Sequence, residues 1–90
     1  MEARAVITVQ GLVQGVGFRW YASKHAQALG LNGFVQNNYD DTVLTEVEGE
    51  KGSIEDYILQ LKIGPRSAQV RAVSVEWSEP KHLFTGFRIR

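Results

Sequence analysis

Residues 11–19 read GLVQGVGFR, and they separate two stretches of different hydrophobic period. Upstream, Ala5–Gln10 (AVITVQ) is β-branched and alternates, with Ala5, Ile7 and Val9 on one face, which predicts a strand. Downstream, Phe18, Ala22, Ala26 and Leu29 recur at helical spacing while Ser23, Lys24 and Gln27 turn away. That pattern predicts a helix over about residues 19–29, stopped by Gly30 at C′. A glycine-rich crossing from strand to helix is therefore the first fixed point of the fold.

Outward from it, Gly33–Asn38 (GFVQNN) and Thr42–Gly49 (TVLTEVEG) read as two more strands, the second with Val43, Thr45 and Val47 in phase. Asn38, Tyr39, Asp40 and Asp41 supply the hairpin between them. Ser53 stands where an N-cap is expected, with Glu55 and Asp56 in the first turn. Ile54, Tyr57, Ile58 and Leu61 follow at helical spacing, and Gly64-Pro65 ends the run. Val70–Trp77 alternates as a fourth strand, and Gly86–Arg90 offers a short last one. The order β-α-β-β-α-β predicts a ferredoxin-like α+β sandwich, an antiparallel sheet with both helices on one face and an extra C-terminal strand. In that arrangement the first and second strands run the same way. The loop after the first strand and Asn37 near the end of the second then share one edge of the sheet.

The bulk properties narrow the function classes. The chain has 90 residues, read as a single domain over 1–90, with ten basic and ten acidic side chains. A formal net charge of zero argues against a nucleic-acid or anionic-membrane coat, so neither partner is expected. The absence of cysteine excludes disulfides, thiolate metal sites and cysteine nucleophiles, and it favours a cytoplasmic location. The opening MEARAVITVQ lacks a basic region followed by a long apolar stretch, so no leader is expected, and no apolar run reaches the ~20 residues of a membrane span.

A glycine-rich loop entering a helix is a good anion site, because backbone N–H groups and the positive end of the helix act together. It matches neither nucleotide pattern. The Walker motif needs Gly-Lys-Ser/Thr, but Gly17 is followed by Phe18 and Arg19. The dinucleotide fingerprint needs a glycine at position 20, which is Trp20. The bland alternative is a tight turn with Arg19 in solvent. Against it, an arginine in a first helical turn is disfavoured by the dipole unless an anion sits beside it.

GLVQGVGFR together with residues 29–37 (LGLNGFVQN) resembles acylphosphatase, a family that hydrolyses carboxyl–phosphate anhydrides. IGPRSAQV and the final GFRIR extend the resemblance over essentially the whole chain. The resemblance implies that Arg19 binds the substrate phosphate with the loop amides of Gln14, Gly15, Val16, Gly17, Phe18 and Arg19, and that Asn37 positions the attacking water. It implies a small-molecule acyl phosphate as substrate, no metal and no other cofactor, and a monomer is the expectation for so small an enzyme. Two positions depart from the family pattern: Phe34 stands where Trp is usual, and Asp41 where a hairpin glycine is usual.

The remaining polar residues carry weaker signals. His25 reads as a helix-surface or packing residue and His82 as a solvated loop residue. Asp40 and Asp41 are expected to make a turn, and Glu46, Glu48 and Glu50 to alternate toward solvent. Strand alternation is expected to set Asn38 on the face opposite Asn37. An RNA-recognition module shares the element order, but it needs aromatic and basic residues on its third strand, and TVLTEVEGE offers neither. A non-catalytic anion-binding or regulatory domain would also keep the cradle, but it would not need both Arg19 and Asn37. A similar domain fronts hydrogenase-maturation carbamoyltransferases, whose further domains and zinc-binding cysteines this sequence lacks.

Overall fold

The computed structural model describes residues 1–90 and contains β1 (Glu2–Leu12), α1 (Phe18–Ala28), β2 (Asn32–Asn37), β3 (Val43–Glu50), α2 (Lys51–Ile63), β4 (Gln69–Ser78) and β5 (Phe87–Ile89). The strands form one sheet in the order β4-β1-β3-β2-β5. β1 and β2 both pair antiparallel with β3, so they point the same way and end at one edge. Helix α1 lies against β2 and β5, α2 lies against β1, β3 and β4, and the helices touch each other. This is the ferredoxin-like arrangement. It differs from expectation in one respect: β5 runs parallel to β2, which makes the sheet mixed.

The core follows the two periodicities. Ala5, Ile7 and Val9 from β1 meet Val43 and Val47 from β3, all without solvent exposure. Phe18, Ala22 and Ala26 of α1 and Ile54, Tyr57 and Leu61 of α2 close over them. The Tyr57 hydroxyl is buried and keeps a 2.8 Å hydrogen bond with Thr45 Oγ1, which itself lies 2.8 Å from the Phe34 carbonyl. Those contacts offset the cost of burying two hydroxyls. Burial pushes the Tyr57 phenol well above its ordinary range, more than the Thr45 bond draws it back. Gly30 stops α1 at C′ with φ 71°, and the Leu31 N–H returns to the Ala26 carbonyl at 2.9 Å.

Three local expectations give way, two of them to long-range contacts. Helix α2 starts at Lys51, not after Ser53, so Glu55 and Asp56 fall beyond its first turn. The Lys51 N–H donates to the Met1 carbonyl at 2.8 Å, and the Met1 amino group pairs with Glu50, so the start of the chain does the work of a side-chain cap. Ser23 is buried on α1 and accepts a hydrogen bond from Gln27 Nε2 at 2.9 Å. Glu48 is also buried rather than facing solvent, and Glu46 is largely covered. The cause is topological: β4 and β5 occupy opposite edges, so residues 79–86 must cross the sheet. They cross the face opposite the helices. The Lys81 and His82 N–H groups donate to Glu48 at 2.7 and 2.9 Å, while Arg4 pairs with Glu46 and stands 3.5 Å from Glu48. Phe84 packs edge-on against Phe34 at 5.7 Å between ring centres.

Candidate active site

The loop from Val13 to Gly17 leaves β1 and enters α1. Val13 is buried and pins one end, and Phe18 is buried and pins the other. Between them Gly15 and Gly17 adopt φ values of 73° and 77°, a region that costs an L-residue about 1–2 kcal/mol. A Cβ at either position would meet nothing within 4 Å. The backbone angle, not crowding, thus sets the requirement for glycine. None of the N–H groups from Gln14 to Arg19 donates to another group of the protein, and the first helical bond runs from the Tyr21 N–H to the Gly17 carbonyl at 3.0 Å. The first turn of α1 holds no acidic side chain. Unpaired donors and an uncompensated helix end form a cradle for an anion.

Arg19 stands half-buried on the first turn, and its Nη1 donates to the Arg90 backbone oxygen at 2.9 Å. That bond fixes the guanidinium while leaving its other donors uncommitted. Asn37 is the last residue of β2, paired in register with Val43. Its side chain is exposed and makes no hydrogen bond within the protein. Arg19 and Asn37 jointly line two adjoining cavities. The smaller, about 210 Å³, is walled by Gly15, Gly17 and Phe18; the larger, about 690 Å³, opens toward Gln36 and Arg90.

Asn38 lines the larger cavity as well, so strand alternation does not separate it from Asn37. The strand ends at Asn37, and Asn38 already belongs to the turn. What separates the two is hydrogen bonding. Asn38 Nδ2 donates to Thr42 Oγ1 at 3.0 Å, its Oδ1 accepts from Gln36 at 3.2 Å, and its N–H donates to the Thr42 carbonyl at 2.9 Å. Asn38 is committed to the hairpin; the Asn37 side chain is uncommitted.

Two roles escaped the sequence reading. The Gln14 side chain donates from Nε2 to the Asn38 and Thr42 carbonyls at 2.8 and 2.9 Å, clasping the loop to the hairpin. Arg90 reaches the same cavity from the far end of the chain. Asp40 keeps to its turn, accepting from Thr42 Oγ1 at 2.6 Å and from the Thr42 N–H at 3.2 Å. The Thr42 hydroxyl, then its amide, hold the Asp40 carboxyl below its ordinary range. Asp41 takes φ 70°, the left-handed angle for which a glycine is usual and which Asp tolerates. His25 lies against Tyr21 at 4.5 Å on the surface of α1, and His82 is exposed.

The Acylphosphatase family model matches residues 5–89 of this sequence. The chain belongs to the acylphosphatase family. An acylphosphatase of Salinibacter ruber is 40% identical over 89 residues, covering 99% of this chain and 94% of the relative. One from Thermus thermophilus is 45% identical over 86 residues, covering 96% and 97%. Among solved structures, the acylphosphatase of Bacillus subtilis superposes with a TM-score of 0.95 at 31% identity, covering 98% of both chains. The acylphosphatase resemblance and the ferredoxin-like fold drawn from GLVQGVGFR and its neighbours are thus both upheld. No helix is long and apolar enough to cross a membrane.

Proposed function

We propose that the protein hydrolyses acyl phosphates to a carboxylate and inorganic phosphate. In this reading the amides of Gln14 to Arg19 and the Arg19 guanidinium hold the phosphoryl group, and Asn37 orients the water. The observation that carries it is the position of Arg19 and Asn37 at the junction of the glycine-walled cavity and the wider one. A phosphoryl group in the smaller cavity meets fixed donors that strengthen as charge gathers on its equatorial oxygens. The Asn37 amide has an acceptor and donors at once, so it aligns water without ionising. Water oxygen bonds to phosphorus as the bond from phosphorus to the acyl oxygen breaks. The carboxylate leaves with that electron pair, and the water proton passes to a phosphate oxygen.

The protein is further read as one domain acting as a cytoplasmic monomer on a small-molecule substrate without a cofactor. Phosphate release from benzoyl phosphate tests the central reading. Turnover is expected, with inorganic phosphate competing for the cradle. Absence of turnover, or phosphate inhibition that excess substrate does not relieve, would overturn it.

A further inference from the structure

The larger cavity has a chemistry the hydrolytic step does not use. Of its seven lining residues two, Arg19 and Arg90, are cationic, and only Tyr39 is hydrophobic. Its outer wall is the Arg90 side chain, whose guanidinium carbon lies 3.8 Å from the centre of the Phe34 ring. The backbone on which it stands is fixed on both sides of Cα. The Arg90 N–H donates to the Val35 carbonyl at 2.8 Å, and its backbone oxygen accepts from Arg19 at 2.9 Å. Stacking holds a guanidinium by its face and leaves its N–H edges open. Arg90 makes no ion pair with any carboxylate of the protein. Asp40, the one acidic residue lining the cavity, directs Oδ1 to Thr42. A fixed arginine with uncommitted donors, facing the cleft next to the loop of Gly15 and Gly17, is suited to meet a second anion.

We propose that Arg90 forms an acyl-side subsite that selects acyl phosphates carrying a second anionic group on the acyl portion. The inference rests on the hydrolytic reading above, with phosphate in the smaller cavity and the acyl group in the larger. It names the substrate class of that site: anionic rather than simple alkyl or aryl acyl phosphates. Arg19 neutralises the transferring phosphoryl group, and Arg90 meets the second charge through charge-assisted N–H···O bonds. The guanidinium is anchored before substrate arrives, so little of the binding free energy is spent on ordering it.

The experiment compares kcat/KM for benzoyl phosphate with that for 3- and 4-carboxybenzoyl phosphate, rigid analogues differing by one carboxylate. At low ionic strength at least one carboxylated isomer is expected to exceed benzoyl phosphate by about fivefold, a difference of ~1 kcal/mol. Arg90→Gln should bring that ratio to near one, while Arg90→Lys should keep part of it. Arg88→Gln removes an equal charge from a neighbouring exposed strand residue outside this cavity, and its ratio should match that of the wild type. Equal values for all three substrates in the wild type would overturn the subsite and leave the hydrolytic reading intact. So would a preference that survives in Arg90→Gln or is lost in Arg88→Gln. Turnover of none of the substrates would remove both.

Discussion

Arg19 and Asn37 are both polar, both line the cavities, and yet they are expected to fail differently when replaced. In the proposed reading Arg19 meets the phosphoryl group before and during reaction, so Arg19→Gln should weaken inhibition by inorganic phosphate and abolish measurable turnover. Asn37 touches only the water in this reading, and the water becomes organised as attack proceeds. Asn37→Ala should therefore leave the phosphate inhibition constant within about twofold while lowering kcat by about two orders of magnitude, ~3 kcal/mol. Asn38→Ala should retain turnover and instead lose about 1 kcal/mol of stability, since its amide is spent on Thr42. Steady-state kinetics with phosphate as inhibitor, beside urea unfolding, checks all three. A dead Asn38→Ala beside an active Asn37→Ala would move the water site by one residue.

At the scale of elements, what was legible in the sequence is what neighbours along the chain decide. Ala5, Ile7 and Val9 declared the buried face of β1, and Phe18, Ala22 and Ala26 that of α1, because each set obeys a single period. Most of the illegible features depend on partners far away. Lys51 begins α2 because Met1 reaches it, and Glu48 is covered because the crossing from β4 to β5 passes over it. The same division holds at the site: the glycine loop, Arg19 and Asn37 stand within two local motifs, whereas Arg90 arrives through a strand pairing no local pattern announces. Gln14 was read for its backbone, but its side chain ties loop to hairpin. Gln14→Leu should cost about 1–2 kcal/mol in urea unfolding, through two lost hydrogen bonds. It should also lower kcat about tenfold or more by loosening Asn37 against Arg19. Normal kcat in a destabilised variant would show that the clasp serves folding alone. Gly33 on β2 has φ 149°, and an added Cβ would lie 1.8 Å from the Glu46 carbonyl oxygen. Gly33→Ala should therefore destabilise by about 3 kcal/mol or more, because the strand must leave its register with β3 to make room. A midpoint of urea unfolding close to that of the wild type would refute that account.

For the molecule as a whole, the division of work between protein and substrate decides which bonds can be cut. In the proposed reading the protein brings donors to the phosphoryl group and an amide to the water, and no side chain protonates the leaving oxygen. Asp40 is the carboxyl nearest that role by position, and its Thr42 contacts keep it ionised, the wrong state for an acid. Nor does any cluster of three or more His, Asp or Glu side chains exist to hold a metal ion that would stabilise an alkoxide. In this reading the leaving group departs unaided. A carboxylate, whose acid titrates near 4, does so readily, whereas an alkoxide, comparable to hydroxide, is more basic by roughly ten units. Each unit of unrelieved basicity costs up to ~1.4 kcal/mol in the step that expels the group. Even if a third of that difference reaches the transition state, ethyl phosphate should react at least about a thousandfold more slowly than acetyl phosphate, ~4 kcal/mol. Acetyl phosphate hydrolysis should also persist after exhaustive treatment with EDTA. Comparable kcat/KM for the two substrates would require an acid that this site lacks. A tenfold loss on chelation, reversed by a divalent cation, would overturn the metal-free reading.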